Sequence, residues 1–149
     1  MICGLDISTS ITGVTILDNK GKIVYNEAWD TRKYKDHFEK ARFIRSKITL
    51  LTSKFEDIEE IYIEKSLQSF RSGFSSAKTL SALSSFNGVV SWLFYHHTKI
   101  KPEYISAASA RKSCGIKVPK GVKAKEEVVK FLLDKEPQFM VEYTKFGNI

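Results

Sequence analysis

The sequence predicts an α/β protein built on a mixed five-stranded sheet with helices on its faces. Three short strand-like segments joined by tight turns come first, which is typical of an antiparallel meander. Segments with helical periodicity then alternate with further strand-like segments, and this alternation adds parallel strands. The chain has 149 residues, of which 42% are hydrophobic and 28% are charged. These values fit one globular domain with a buried core.

The first three strands follow from short apolar runs between polar turns. Residues 2–8 and 11–18 predict two strands joined by a tight turn at 8–10. The turn at 19–22 contains Asn, Gly and two lysines, and residues 23–29 predict the third strand. Because the connections are so short, we expect neighbouring strands to run antiparallel.

A change of period marks the first helix. Apolar residues recur every three or four positions over 34–54, which predicts an amphipathic helix. Residues 59–64 then predict a fourth strand that ends in Glu64. The apolar stripe of the helix consists of Phe38, Ala41, Ile44, Ile48 and Leu51.

Residues 75–97 give the longest helical pattern. We expect its apolar stripe to pack on the protein's own sheet, and its small residues to let another element approach closely. The apolar stripe consists of Ala77, Leu80, Leu83, Phe86, Val90 and Leu93. The second face consists of Ser81, Ser84, Gly88 and Ser91, with Trp92 and Tyr95 beside them.

The last third of the chain predicts a strand, two helices and a basic loop. Residues 103–107 follow a proline and predict the fifth strand, and residues 108–114 suit a short helix. A basic loop at 115–121 leads to a final helix at 123–134, which stops before Pro137. We see no repeat and no internal boundary, so residues 1–149 are predicted to form a single domain.

Positive charge is concentrated in the middle of the chain. The formal net charge is +7, but residues 65–125 alone carry eleven basic side chains and one acidic side chain. Such an imbalance favours a polyanionic partner, most often nucleic acid, although a solvated basic face that only aids solubility is the alternative.

The cysteine count, the length of the apolar runs and the first residues argue against a disulfide-rich, membrane or secreted protein. Two cysteines, Cys3 and Cys114, are too few for a disulfide framework and suggest reduced thiols in the cytoplasm. No apolar run approaches the length of a membrane span, so we expect no membrane partner. The first residues show neither a basic start nor a long apolar run, so no signal peptide is expected.

Two carboxylates, Asp6 and Glu64, each end an otherwise apolar strand. If their strands are neighbours, both carboxylates lie at one edge of the sheet, where they repel each other unless a cation lies between them. Carboxylate oxygens suit Mg²⁺ or Mn²⁺, and a pair of such ions can clamp a phosphodiester. The alternative is two unrelated strand-end acids, each paired with a nearby lysine.

Three motifs in order resemble the RuvC-like Holliday junction resolvases, particularly their bacteriophage branch, which have the RNase H-like fold. The first is the segment 4–13, Gly-Leu-Asp-Ile-Ser-x-x-x-Thr-Gly, and the second is Ile-Tyr-Ile-Glu at 61–64. The third is Ala-Lys-Glu-Glu-Val at 124–128, where a lysine opens a helix. The resemblance covers nearly the whole chain.

The resemblance implies a metal-dependent endonuclease that hydrolyses phosphodiesters in branched DNA, during recombination, repair or phage DNA processing in a bacterial or phage-infected cytoplasm. It would leave 5′-phosphate and 3′-hydroxyl ends. Asp6 and Glu64 would be catalytic residues and ligands of Mg²⁺ or Mn²⁺, and Lys125 would bind or polarise a phosphate near the cut.

The resemblance also implies a homodimer through the helix near 75–97, whose two active sites would cut a junction symmetrically. The aromatic and basic segment at 70–74 suits base stacking and phosphate contact, or else a loop that caps the core. The candidate DNA-binding residues are Phe70, Arg71, Phe74, Arg111, Lys112, Lys117, Lys120, Lys123 and Lys125.

The sequence departs from the family pattern in three places. Ser8 stands where the family usually carries Gly, and Leu67 stands near the position of an aromatic wedge. The family also ends in a D-x-x-D helix, which this sequence lacks after Asp134, so we expect the chain to lack its C-terminal catalytic helix. With only Asp6 and Glu64, a non-catalytic branched-DNA-binding module is therefore an alternative function.

A second alternative is a fragment of an actin-like or sugar-kinase-like ATPase. The first phosphate loop of those proteins also follows a strand and has the pattern D-x-G-x-[ST]. Ser8 in place of Gly weakens this interpretation. Such ATPases also need two lobes and a second phosphate loop, and 149 residues are too few to supply them.

Overall fold

The computed structural model describes residues 1–65 and 76–141. The chain divides into two compact units, Met1–Ile105 and Ser106–Ile149. The described part of the first unit contains the sheet and two long helices, and that of the second contains two shorter helices.

The sheet has five strands in the order β3-β2-β1-β4-β5. Strands β1, β2 and β3 pair antiparallel, whereas β4 runs parallel to β1 and β5 runs parallel to β4. The predicted mixed sheet, an antiparallel meander extended by parallel strands, is therefore confirmed. The strands are β1 (Ile2–Ile7), β2 (Ile11–Leu17), β3 (Ile23–Asp30), β4 (Glu60–Glu64) and β5 (Glu103–Ile105).

Alternation along the strands gives the sheet one buried face and one more open face. Helices α1 (His37–Lys54) and α2 (Ala77–Thr98) contribute to the same core as the buried strand residues, so both cover the buried face. Trp29 of β3 stacks on Phe94 of α2 with ring centroids 6.2 Å apart. The fully buried large side chains include Trp29, Phe86, Phe94, Ile16, Ile44, Ile48, Ile61 and Ile63.

Capping side chains set the helix boundaries. The Asp36 carboxylate accepts hydrogen bonds from the first backbone amides of α1, so that helix begins at His37 rather than at residue 34. Ser106 caps α3 (Ala107–Ser113), and β5 consequently ends at Ile105 rather than at residue 107. Helix α4 (Ala124–Lys135) follows the basic loop.

Two details of the predicted faces of α2 were wrong. Ala77 is exposed, because the part of α2 that enters the core begins at Phe86. Ser91 is buried rather than outward-facing. Its hydroxyl donates to the carbonyl of Asn87 at 2.7 Å, and this bond satisfies the polar group inside the core.

A polar network ties α1 to β3 on the buried side of the sheet. Lys47 forms an ion pair with Glu27, and the hydroxyl of Tyr25 donates to the same carboxylate. The indole of Trp29 donates to the Tyr25 oxygen at 3.1 Å. Burial raises the pKa of Glu27, but the hydrogen bonds from Lys47 and Tyr25 outweigh it and hold that pKa below its ordinary value. The network therefore favours an ionised Glu27.

Candidate active site

The two predicted carboxylates lie at the same end of neighbouring parallel strands. The register pairs Leu5 of β1 with Ile63 of β4, so the next residues, Asp6 and Glu64, stand level with each other. Buried and exposed side chains alternate along each strand, and Asp6 and Glu64 are both exposed side chains on the open face. Neighbouring strands lie about 4.8 Å apart, so the topology brings these residues together.

A glycine stands opposite Asp6 on the other side. Gly13 of β2 pairs with Asp6 in the antiparallel register. A Cβ added at Gly13 would lie 3.8 Å from the Asp6 Cβ, which is ordinary contact, and any larger side chain would extend over the open face. Gly13 therefore keeps the space next to the Asp6 carboxylate free of a neighbouring side chain.

The residues present suit a hard divalent cation. Mg²⁺ is often bound by one or two carboxylates, with water and substrate phosphates completing the coordination. Asp6 and Glu64 supply two carboxylates on an open face, which fits that mode. No group of three or more His, Cys, Asp or Glu residues is close enough to hold a metal within residues 1–65 and 76–141. Within those ranges, a cation here would be held by Asp6 and Glu64, with water and substrate phosphates as further ligands.

The turn that follows Asp6 is anchored from two directions. The Thr31 hydroxyl, which is fully buried, donates to the carbonyls of Thr9 and Ser10 at 3.1 and 3.0 Å. The Lys40 ammonium of α1 also donates to the Thr9 carbonyl. Within the turn, the Ser8 hydroxyl accepts hydrogen bonds from two backbone amides. Side chains from outside the turn thus hold the segment next to Asp6 in one conformation.

Replacing Thr31 with Val should lower the free energy of unfolding by about 1 kcal/mol, because the carbonyls of Thr9 and Ser10 lose their hydrogen bonds from the buried Thr31 hydroxyl. Thr12 is the matched control. Its hydroxyl is also buried but has no hydrogen-bond partner among the described residues, so Thr12→Val should be neutral or stabilising. Urea unfolding of both variants measures the difference. Equal losses of stability in the two variants would contradict the anchoring role of Thr31.

The basic loop and helices of the second unit carry the remaining candidate DNA-binding side chains. Arg111 is partly exposed, and five lysines are exposed: Lys112, Lys117, Lys120, Lys123 and Lys125. Gly115 and Gly121 have φ angles of 71° and 86°, and at these two positions the loop needs the left-handed conformation that glycine adopts readily.

Most of these cations are not neutralised within the described parts of the chain. There, Arg111, Lys112, Lys117, Lys120 and Lys123 form no salt bridge. Lys125 lies in the first turn of α4, next to Glu126 and Glu127. A second unit with exposed, unneutralised cations fits the predicted affinity for a polyanion.

Three candidates cannot be placed. Phe70, Arg71 and Phe74, predicted to contact DNA, lie outside the described residues. Their predicted roles stay predictions.

The face of α2 opposite the core carries large apolar side chains. Trp92 is 58% exposed and Tyr95 is 46% exposed, and Val89 lies beside them. The Trp92 ring stacks on His96 with ring centroids 4.8 Å apart. A Cβ added at Gly88 would meet nothing within 4 Å. As predicted, Ser81, Ser84 and Gly88 lie on this outward side.

Sequence reasoning missed the residues that support Asp6. Thr31 and Lys40 anchor the turn from about twenty to thirty positions away along the chain. A threonine directly after a strand, or a lysine in an amphipathic helix, carries no signal of such a contact. The role of Gly13 could have been read from the predicted antiparallel hairpin, because its register sets Gly13 opposite Asp6.

Among the described residues, none of the helices combines the length and the hydropathy of a transmembrane span. No family profile matches the sequence, and a search of curated proteins finds no match.

The fold is similar to that of three solved structures, two of RuvC and one of a Holliday junction resolvase. Thermus thermophilus RuvC in complex with a Holliday junction substrate superposes with a TM-score of 0.72 and 12% identity, covering 97% of this chain and 83% of that one. Another T. thermophilus RuvC structure superposes with a TM-score of 0.63 and 15% sequence identity, covering 97% of this chain and 84% of that one. The yeast mitochondrial Holliday junction resolvase Ydc2 superposes with a TM-score of 0.55 and 18% sequence identity, covering 90% of this chain and 61% of that one. The predicted RNase H-like fold is confirmed, and the chain has the fold of RuvC-type Holliday junction resolvases.

Proposed function

We propose that the protein is a metal-dependent endonuclease that cleaves branched DNA. The observation that carries the proposal is the placement of Asp6 and Glu64, level with each other on the open face at one end of the sheet. The similarity of the fold to proteins that resolve Holliday junctions supports the choice of DNA as substrate. The exposed basic side chains of the second unit support it independently.

The reaction is the hydrolysis of a phosphodiester. The oxygen of water bonds to phosphorus, the bond between phosphorus and the 3′ oxygen breaks, and that oxygen takes up a proton. The products carry 5′-phosphate and 3′-hydroxyl ends. Bound Mg²⁺ or Mn²⁺ would supply Lewis-acid stabilisation of the developing negative charge.

The chain's own residues would hold the metal and the DNA. Asp6 and Glu64 would bind the cation, and Gly13 leaves their open side accessible to a phosphate. Lys125 is proposed to bind a phosphate near the cut. The other exposed lysines of the second unit would contact the DNA backbone, which dominates the affinity of such complexes.

The experiment that tests this function is cleavage of a four-way DNA junction with Mg²⁺ or Mn²⁺, beside linear duplex and flap substrates. The expected result is nicking of the junction strands, with little cleavage of the duplex and none in EDTA. If the protein binds the junction but does not cleave it with either Mg²⁺ or Mn²⁺, the proposed nuclease activity is wrong. That outcome would favour a branched-DNA-binding module, because residues 1–65 and 76–141 supply only two close carboxylates.

We also propose that the protein is a homodimer through the outward face of α2. Trp92 and Tyr95 expose large apolar surfaces there, and Gly88 and Ser84 allow a second helix to approach. A closed two-fold interface buries the same patch on both subunits. Such a dimer would present two Asp6–Glu64 sites to one junction and allow symmetric cuts.

Replacing Gly88 with Trp should convert the dimer to a monomer, because the indole blocks close approach of the partner helix. The substitution should not unfold the subunit, since an added Cβ at Gly88 meets nothing within 4 Å. Gly88→Ala is the control: it should retain the dimer and stabilise the helix by roughly 1 kcal/mol. Sedimentation equilibrium at tens of micromolar measures the association. A monomeric wild type, or a dimeric Trp variant, would contradict this interface.

A further inference from the structure

A second basic segment lies at the same end of the sheet as the two carboxylates. The register pairs Ile11, the first residue of β2, with Asp30, the last residue of β3. Strand β1 ends beside the start of β2, so the connection from β3 to α1 leaves the sheet at the end that carries Asp6. The bond from Lys40 to the Thr9 carbonyl holds the start of α1 against the turn that follows Asp6.

This segment is strongly basic although the first 64 residues as a whole are not. Residues 32–47 contain seven basic and two acidic side chains. Three of the cations have partners: Arg32 pairs with Asp30, Lys47 pairs with Glu27, and Lys40 donates to a carbonyl. Within the described residues, the other four, Lys33, Lys35, Arg42 and Arg45, form no salt bridge with a carboxylate. All four are exposed.

Two of these cations, Lys33 and Arg42, lie beside an aromatic pair. The rings of Tyr34 and Phe43 lie 5.4 Å apart between centroids. The Lys33 ammonium lies 5.0 Å from the Tyr34 centroid and 5.7 Å from that of Phe43, so the rings hold it in place. An open cavity of about 400 Å³ is lined by Tyr34, Phe43, Arg42, Ser46 and Glu39.

We infer that Lys33, Tyr34, Lys35, Arg42 and Phe43 form a second DNA-backbone contact of the active-site unit, here called the Lys33–Arg42 surface. The inference rests on the proposed function, because it takes the same DNA as its partner. Cations beside aromatic rings are a common arrangement for binding a nucleic-acid strand. The Glu39 carboxylate lines the cavity and repels a phosphate, so the DNA backbone would contact Lys33 and Arg42 beside the cavity rather than enter it.

This contact lies apart from the phosphate at Asp6. Strand β3 is two strands from β1, and α1, which carries Arg42 and Phe43, covers the buried face of the sheet, whereas Asp6 and Glu64 lie on the open face. The Lys33–Arg42 surface should therefore contact phosphates other than the one at Asp6.

The test compares two double variants of equal charge. Lys33→Ala with Arg42→Ala removes two cations from the surface. Lys20→Ala with Lys22→Ala removes two exposed cations from the turn between β2 and β3, at the opposite end of the sheet. Fluorescence anisotropy with a labelled four-way junction in EDTA, over a range of salt, gives the affinity and its salt dependence. Phosphate ethylation interference locates the contacts.

The Lys33/Arg42 variant should bind the junction about tenfold more weakly than wild type. The slope of the logarithm of its binding constant against the logarithm of the salt concentration should be smaller by about two, because two phosphate contacts are lost. The Lys20/Lys22 control should stay within about twofold of wild type. Loss of ethylation interference at phosphates away from the cut, in the Lys33/Arg42 variant alone, would support the surface. Equal affinities of the two variants would overturn it while leaving the nuclease intact. A wild type that neither binds nor cuts the junction would instead overturn the proposed function.

Discussion

Replacing Asp6 with Asn, or Glu64 with Gln, should lower the rate of junction cleavage by at least about a hundredfold, because each substitution removes a negative charge that would hold the metal. Both side chains are exposed at the end of the sheet, so the isosteric amides should not disturb the core. Affinity for the junction in EDTA should be equal to wild type or tighter, since less negative charge faces the phosphates. Single-turnover cleavage and anisotropy separate the two effects.

Glu60→Gln is the matched control for this prediction. Glu60 lies on the same strand and the same face as Glu64, but at the opposite end of β4, and it is also exposed. Its cleavage rate should equal that of wild type. If Asp6→Asn and Glu64→Gln cleave as fast as Glu60→Gln, the sheet end is not the active site. If both lose binding as well as cleavage, their role is structural rather than catalytic.

Replacing Lys117, Lys120 and Lys123 together with Ala should weaken binding to any DNA by roughly ten- to a hundredfold and flatten the salt slope by about three. All three side chains are exposed and, within the described part of the chain, have no acidic partner. A phosphate that they contact would release condensed counterions, and this release drives binding at low salt. Junction and linear duplex should be affected alike, because phosphate contacts carry no sequence information.

The control is a triple variant of the same charge, with Lys20, Lys22 and Lys54 replaced by Ala. These lysines are exposed on the first unit. Lys20 and Lys22 lie in the turn at the sheet end away from Asp6, and Lys54 ends α1. The control should bind nearly as tightly as wild type. An unchanged affinity in the Lys117/Lys120/Lys123 variant would mean that the basic loop is only a solvated surface.

The periodic patterns predicted the helices and strands well, whereas the helix caps and the burial of single residues were harder to predict. Every predicted strand and helix is present, with bounds shifted by a few residues at most. The largest shift, at the start of α1, reflects a cap that depends on the local backbone at Asp36. Ser91 belongs to the predicted small-residue face of α2, yet it is buried, and its hydroxyl bonds to the helix's own backbone.

Local sequence patterns were enough to predict the mixed sheet, the strand-end positions of Asp6 and Glu64, and the concentration of positive charge in residues 65–125. These follow from periodicity, turn residues and charge, which are local properties of the chain. The tertiary structure was needed to show that Asp6 and Glu64 stand level and face the same side, since that depends on the register between β1 and β4. It alone brought Thr31, Lys40 and the Lys33–Arg42 surface to the same end of the sheet, because those contacts join segments distant in sequence.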